Sequence, residues 1–520
     1  MLWQAQHDAP LTALRSRAET FVLAADCLLL TYCSKPTRNE QPANRHHLPR
    51  RAIHSHLRKV ITSISLLPLL PLIIISSTLQ IATPPTFNTP AGTIIGWADG
   101  AVLRATGIRY ARAKRFRPPV PETPATGQVW ATASAPACPQ LADPRVDQVM
   151  GDLFAALSFD EDCLRLSITL PADRRSDEVL PVIVWVHGGS YVSGAGDLAI
   201  YDPATWVAEQ RVVFVAVTYR LGLFGFLGSG STPPNLGLLD LLAALRWVQH
   251  NIAAFGGDPA LVSLFGHSSG ADAIAQLMLA DGAANLFRRV MLHSAPLGLT
   301  RNRSRMLRAM SQAVGALALT ASAAEVLARE SAVTKAAHWQ GLKSGMPFGP
   351  QYGAAPLPPE TDIEATWAAV APHIDVLIGA TAEETRFFAV IDPTFNWLQR
   401  LPVAGSRLVR LLINITSRRI YLAPAQAFAE QQARAGGRAW RFLLTYQPPN
   451  SPFGAAHVVD LPLLLGTRAS WAATPLLGKA DWEEFDATGR QVRQLWADFA
   501  RTGALPHQVV IPGVLEVKKV

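Results

Sequence analysis

Charged residues are scarce in this chain: Asp, Glu, Lys and Arg make up 17% of its 520 residues, against about 25% in an average soluble protein. Combined with 49% hydrophobic residues, this excludes a largely disordered chain, because disorder pairs low hydrophobicity with high net charge. Cysteine is rarer still, four in all, which excludes a small disulfide-stapled scaffold. No G-x-G-x-x-G and no G-x-x-x-x-G-K occurs, so neither a dinucleotide fingerprint nor a phosphate loop has support. The 36 Gly and 39 Pro follow no period, and no repeat of 20 to 50 residues is visible, which sets aside collagen-like and solenoid architectures.

The net charge of +8 is local. Residues 1–59 hold nine Lys/Arg against four Asp/Glu, so only +3 belongs to the remaining 461 residues. No later segment clusters Lys/Arg with interleaved aromatics, and nucleic acid is not an expected partner. The basic excess belongs to a leader: Arg50, Arg51, Arg58 and Lys59 precede an apolar run from Val60 to Ile75. A basic stretch before such a run reads as a secretory signal. Its two prolines and its length fall short of the roughly 20 residues of a spanning helix, which makes an uncleaved membrane anchor the second reading. Residues 1–49 sit awkwardly ahead of a signal, and a translation start near Val60 would account for that. No fold is expected for residues 1–85, and one domain is expected over 86–520.

Cys27 and Cys33 lie in the leader, leaving Cys138 and Cys163 as the pair in the body. A bridge between them would remove about 3 kcal/mol of unfolded-chain entropy, and secretion would permit it. Two unrelated buried thiols are the alternative.

From Leu180 onward, β-rich runs alternate with helical patterns. Val182–Val186, Val212–Val217, Leu261–Phe265, Val290–Ser294, Asp375–Gly379 and Trp440–Tyr446 read as strands. The first two are apolar on both faces, as buried parallel strands must be. Leu238, Leu241, Leu242, Leu245 and Val248 fall at helical spacing between Leu236 and Ile252, and an Ala-rich helix is expected over 271–280. Such alternation means a doubly wound, mostly parallel α/β sheet with helices on both faces and helical insertions.

Gly266-His267-Ser268-Ser269-Gly270 follows one of these strands and opens a helix. A strand that turns into a helix within a few residues strains its central residue, and glycines two positions to either side let neighbouring backbone approach. Ser268 is thereby lifted over the carboxyl edge of the sheet, where ligands of open α/β sheets bind. A serine nucleophile needs a base oriented by a carboxylate, and on this strand–turn–helix frame the chain order is Ser, acid, His. His457 and His507 are the histidines that follow the strand near 375. His507 sits in an irregular tail and His457 in a loop, Gly454-Ala-Ala-His457, which makes His457 the expected base. Glu383 and Glu384 both follow the strand at 375–380, whereas Asp375 opens that strand at the wrong edge. The residues alone leave the two glutamates open, with a solvated helix start as the ordinary reading of either. His187-Gly188-Gly189-Ser190-Tyr191 also follows a strand. The amides of Gly188 and Gly189, with that of Ser269, form a candidate oxyanion hole, where one donor is worth roughly 10² to 10³ in rate. His267 is read as a modulating or packing group.

These residues resemble the type-B carboxylesterase family, which includes cholinesterase-like and para-nitrobenzyl-esterase-like enzymes. Phe255 to Gly270 matches the family's serine signature, and Glu161 to Pro171 resembles its second signature, with Arg165 at a position usually aromatic or Thr. Tyr219–Phe226, Asn235–Asp240, Ala244–Gln249 and Gly107–Ala111 are similar to other family segments. The resemblance runs from about residue 92 to 503. It implies an α/β-hydrolase fold and a serine carboxylester hydrolase working through an acyl-enzyme, with Ser268 as nucleophile, Glu384 as acid and His457 as base. It also implies a disulfide joining Cys138 and Cys163, a small-molecule ester as substrate, and no metal or organic cofactor. Membrane contact is expected only through the N-terminal apolar segment. A non-catalytic adhesion protein on the same scaffold is the alternative from another class, and a lipase or amidase is the alternative with the same triad. The chain departs from the family at His267, where Glu is usual, at Val458, where a small residue is usual, in a short loop before Arg115, and in the tail 504–520.

Overall fold

Runs that are apolar on both faces form the centre of one large sheet. In a computed structural model of the chain, residues 83–315, 319–402 and 404–520 are described; the leader's apolar segment 60–75, Cys27 and Cys33 lie outside them. The main sheet has eleven strands: β1 (Trp97–Asp99), β2 (Val102–Arg109), β3 (Arg165–Pro171), β4 (Leu180–Val186), β5 (Val213–Val217), β6 (Gly257–His267), β7 (Arg289–His293), β8 (Asp375–Thr381), β9 (Ala439–Leu444), β10 (Gln508–Ile511) and β11 (Leu515–Lys519). Their spatial order is β10-β11-β9-β8-β7-β6-β4-β5-β3-β2-β1.

The six strands from β9 to β5 run parallel, and the outer ones are antiparallel. Chain order reverses at β4, whose successors β5 and β6 lie on its opposite sides. A crevice therefore opens at the carboxyl ends of β4 and β6, the position at which open α/β sheets bind ligands.

Alternation along each strand divides the core in two. Val182, Val184 and Val186 of β4 and Val213, Val215 and Val217 of β5 face one cluster, where helices α1 (Leu236–Asn251) and α2 (Ser269–Leu277) pack with Leu241, Leu245 and Ile274. Ile183, Trp185 and Phe214 face the other, against Trp496 and Phe499. The period of two is the pleat itself. At roughly 25 cal/mol per Å² of apolar surface removed from water, both clusters contribute to holding the sheet.

Residues 504–520 differ from the irregular tail expected above. β10 and β11 form a hairpin turning at Gly513 (φ 71°), and β11 pairs antiparallel with β9 from Lys519 opposite Trp440 to Leu515 opposite Leu444. Trp440 Nε1 also donates to the Leu505 carbonyl at 3.1 Å. The edge hairpin keeps half its side chains in solvent, so its sequence lacks the continuous apolar run that marks β4. Among the described residues no helix is long and apolar enough to cross a membrane.

Candidate active site

β6 ends at His267 and α2 begins at Ser269, so Ser268 must make the whole turn. It does so at φ 56°, ψ −128°, a conformation outside the regions open to ordinary side chains. Crowding holds it there. A Cβ on Gly266 would lie 2.7 Å from the Gly270 carbonyl carbon, and one on Gly270 would lie 2.1 Å from the Val186 oxygen. The Ser268 amide donates to the His293 carbonyl at 2.9 Å, while its hydroxyl makes no hydrogen bond among the described residues.

The loop after β4 runs beside this turn. A Cβ on Gly188 would stand 3.0 Å from Ser268 Cβ, so glycine is what allows the two backbones to meet. Gly189, Ser190 and Tyr191 follow at φ 113°, 54° and 62°, three successive left-handed residues. The loop is tied down by Tyr191 N–H donating to Ser269 Oγ (3.2 Å), Tyr191 OH to Asp272 (2.6 Å) and Tyr219 OH to the His187 carbonyl (2.8 Å). The amides of Gly188, Gly189 and Ser269 donate to no acceptor among the described residues. Ser269 is the first residue of α2, where helical amides are left over in any case. Burial holds the His187 imidazole down to about 4, so it contributes no charge.

The structure separates the two glutamates. Glu384 is fully buried, with its Oε2 2.5 Å from His457 Nδ1 and its Oε1 accepting from Ser294 Oγ (2.5 Å) and Thr381 N–H (2.7 Å). The His457 amide donates to the Glu384 carbonyl at 3.1 Å. Glu383 turns the other way, to Arg386 at 2.7 Å. Asp375 pairs with Arg438 at the far edge, and His507 is exposed at the start of β10.

The His457 ring lies among three others: His267 at 4.5 Å between centroids, Tyr421 at 5.4 Å and Phe388 at 5.6 Å. His267 belongs to a buried group that sequence reasoning missed. Its Nε2 is 3.6 Å from Asp460 Oδ1; Asp460 Oδ2 is 2.6 Å from His293 Nδ1; and Trp496 Nε1 donates to His293 Nε2 at 2.6 Å. Burial holds His267 down to about 3, so the contact with Asp460 at neutral pH is polar and not an ion pair. For Asp460 burial favours the neutral acid, but nearby His267 and the hydrogen bond to His293 outweigh it and hold the carboxyl down to about 2. Asp460 follows His457 by three residues, which is the one signal the sequence offered.

The bridge expected between Cys138 and Cys163 is not formed: both are buried free thiols. They are nonetheless in contact. The hydrogen bond to Cys138, together with burial, pushes the Cys163 thiol well above its ordinary range, and Cys138 Sγ accepts the Leu221 amide at 3.4 Å. Among the described residues no group of three His, Cys, Asp or Glu side chains is placed to hold a metal ion.

With this geometry in place, likeness to known proteins becomes informative. The sequence profile described as "Carboxylesterase family" matches residues 83–400. The chain belongs to the carboxylesterase family. It is 35% identical over 427 residues to a probable N-octanoylanthranilate hydrolase of Rhodococcus erythropolis, covering 81% of this chain and 93% of that protein. It is 30% identical over 461 residues to a para-nitrobenzyl esterase of Bacillus subtilis, covering 80% and 89%. A solved thermophilic para-nitrobenzyl esterase superposes with a TM-score of 0.70 at 27% identity, over 84% of this chain and 98% of that one. The fold is that of the α/β-hydrolases and the chain is a serine hydrolase of carboxylic esters; nothing favours a purely adhesive role.

Proposed function

We propose that Ser268 is the nucleophile, His457 the base and Glu384 the residue that orients it. Ser268 Oγ attacks the ester carbonyl while His457 Nε2 takes its proton; the amides of Gly188, Gly189 and Ser269 meet the oxyanion. The protonated His457 then releases the alcohol, and water, activated by the same imidazole, frees the acid from the acyl-serine. The observation that carries this reading is the 2.5 Å contact from buried Glu384 to His457 Nδ1, which leaves Nε2 as the free ring nitrogen. Ser268 Oγ has no competing acceptor among the described residues, and a catalytic hydrogen bond from it to the base need tighten only when substrate binds. Ser268→Ala should lower ester turnover by at least about 10³ and abolish labelling by a fluorophosphonate probe. Full turnover in that variant would refute the assignment.

Aromatic substrates are the class we infer. The names N-octanoylanthranilate and para-nitrobenzyl both carry an aryl group, and Phe388 and Tyr421 offer rings around His457. A pair of benzyl and cyclohexylmethyl esters of one acyl group, matched in leaving-group basicity, tests this: kcat/KM for the aryl member should lead by at least about tenfold, the scale of a few buried carbons, and equal values would count against it. The signal-like segment 60–75 supports export, with tethering through that segment as the other outcome; fractionation of cells expressing the full chain separates them.

A further inference from the structure

Between Pro393 and Ala429 the chain carries five arginines and not one acidic residue. Without this stretch the body from residue 60 on would be net −2 instead of +3. The sequence shows no compact basic cluster because the arginines are spread out; one helix hairpin and the turn after it carry all five. Helices α3 (Pro393–Gln399) and α4 (Gly405–Ser417) pack into a hairpin around a small core of their own, Phe395, Leu398, Val409, Leu412 and Ile413 with Ala389. On α4 the buried positions Gly405, Val409, Leu412, Ile413 and Ser417 define one side. At 100° per residue, Arg407, Arg410, Leu411 and Ile415 spread across the opposite side and its flanks.

All five arginines, Arg400, Arg407, Arg410, Arg418 and Arg419, are exposed, and none of their guanidinium groups has an ion-pair or hydrogen-bond partner among the described residues. Other exposed arginines of this chain do reach carboxylates, as Arg112, Arg175, Arg434 and Arg490 show; on this hairpin and the turn after it five stand without one. Interleaved with the unpaired five stand Trp397, Leu401, Leu411 and Ile415, exposed by 60%, 39%, 54% and 41%.

We propose that this hairpin docks the protein on an anionic lipid surface. Guanidinium groups without partners meet the headgroup charge, while Trp397 and the three aliphatic side chains enter the boundary between headgroups and acyl chains. A nucleic acid would use the charge but gains little from Leu and Ile, which have no π face on which bases stack. Contact of this kind lies on the membrane and does not cross it. It also differs from contact through the leader, the one route visible in the sequence.

The docking face is coupled to the catalytic rim. Ser417 Oγ accepts the amide of Thr385, the residue after Glu384, at 3.0 Å, and Thr385 Oγ1 is 2.7 Å from Thr416 Oγ1. The chain then enters a π-helical turn, Arg418–Leu422, which carries Tyr421 to the His457 ring. Such turns are frequent at functional sites. A surface held by this face acts on elements that touch Thr385 and the His457 ring, whatever roles Ser268 and Glu384 have.

The test uses the full-length protein, so the leader is common to every sample. Vesicles of phosphatidylcholine alone are compared with vesicles holding about 30% phosphatidylglycerol, by sedimentation and by hydrogen exchange of the peptides covering 393–419. Preferential binding to the anionic vesicles is expected, weakened by about 0.5 M salt, together with exchange protection in those peptides. R400Q/R407Q/R410Q should reduce partitioning about a hundredfold, from roughly fivefold per cationic side chain at the surface. The proposal is overturned if those peptides exchange equally with and without anionic vesicles, if the triple variant partitions like the parent, or if an acidic duplex or protein protects them where vesicles do not. The exchange result on the parent protein stands even if the variant folds poorly.

Discussion

The imidazole of His457 rests on that of His267, with ring centroids 4.5 Å and planes 41° apart. Its neighbour is an imidazole that burial keeps neutral well below pH 7. In the mechanism proposed above, His457 becomes a cation beside a group that lends it no charge, and Asp460 lies one ring further away. His267→Glu should place a carboxylate against the imidazolium, favour its charged form and move the acidic limb of the kcat/KM–pH profile upward by about one unit. A limb that stays in place while the variant remains folded would show that residue 267 does not influence the base.

Cys138 and Cys163 are in contact before any bond joins them. Oxidation should therefore close the loop between them, stabilising the fold by about 3 kcal/mol through loop entropy. Peptide mapping of protein folded under oxidising conditions should recover the pair as one linked peptide, with a melting temperature a few degrees above that of the reduced form, since about 1 kcal/mol shifts large domains by a degree or two. Mapping that returns both as free thiols under oxidising conditions would reject the bridge.

The parts of the fold that were legible are those where one demand dominates. β4 and β5 are buried on both faces, so their sequences are unbroken apolar runs. The turn at Ser268 needs glycine where a Cβ would strike backbone, which leaves a fixed spacing. Elsewhere two demands compete. β2 has only every third residue fully buried, which gives neither a period of two nor a continuous run, and it was missed. Glu383 and Glu384 occupy the same strand end, and only the direction of the following turn decides which one reaches His457. Asp460, His293 and Trp496 meet across the fold, the last two 203 positions apart in the chain; no local pattern could have joined them.

Glu330 ties an insertion to the chain at Gly222 and Leu223, which meets the loop that carries the Gly188 and Gly189 amides. From helix Ala323–Ala336 its Oε1 accepts the Leu223 amide at 2.7 Å, and Gly222, one residue earlier, donates to the Tyr191 carbonyl at 2.7 Å. Burial raises the Glu330 carboxyl to about 7. A folded-state value above the unfolded one means that its contribution to stability is full below about 4.5 and is lost as pH rises through 7. Glu330→Gln keeps the acceptor and cannot ionise. Its melting temperature should match the parent near pH 5 and exceed it at pH 8, by the equivalent of 2 to 3 kcal/mol in order of magnitude. An equal gap at both pH values would remove ionisation from the account.

Val458, directly after His457, lies at φ 80°, a conformation that a β-branched residue adopts only when its surroundings impose it. The chain turns sharply here, with the Leu461 amide donating to the Val458 carbonyl at 2.9 Å, and His457 is held on its other side by Glu384. In ordinary backbone, Ala is more stable than Gly by about 0.5 to 1 kcal/mol; at this position the order should invert. Both Val458→Ala and Val458→Gly lose the valine's packing, so the difference between them isolates the backbone term. Val458→Gly should be the more stable of the two by about 1 kcal/mol in denaturant titration. Its kcat should stay within about threefold of the alanine variant, because the contacts that position His457 come from Glu384, and a neutral-to-favourable backbone change removes none of them. The usual order, with alanine ahead, would mean that position 458 relaxes freely and stores no strain.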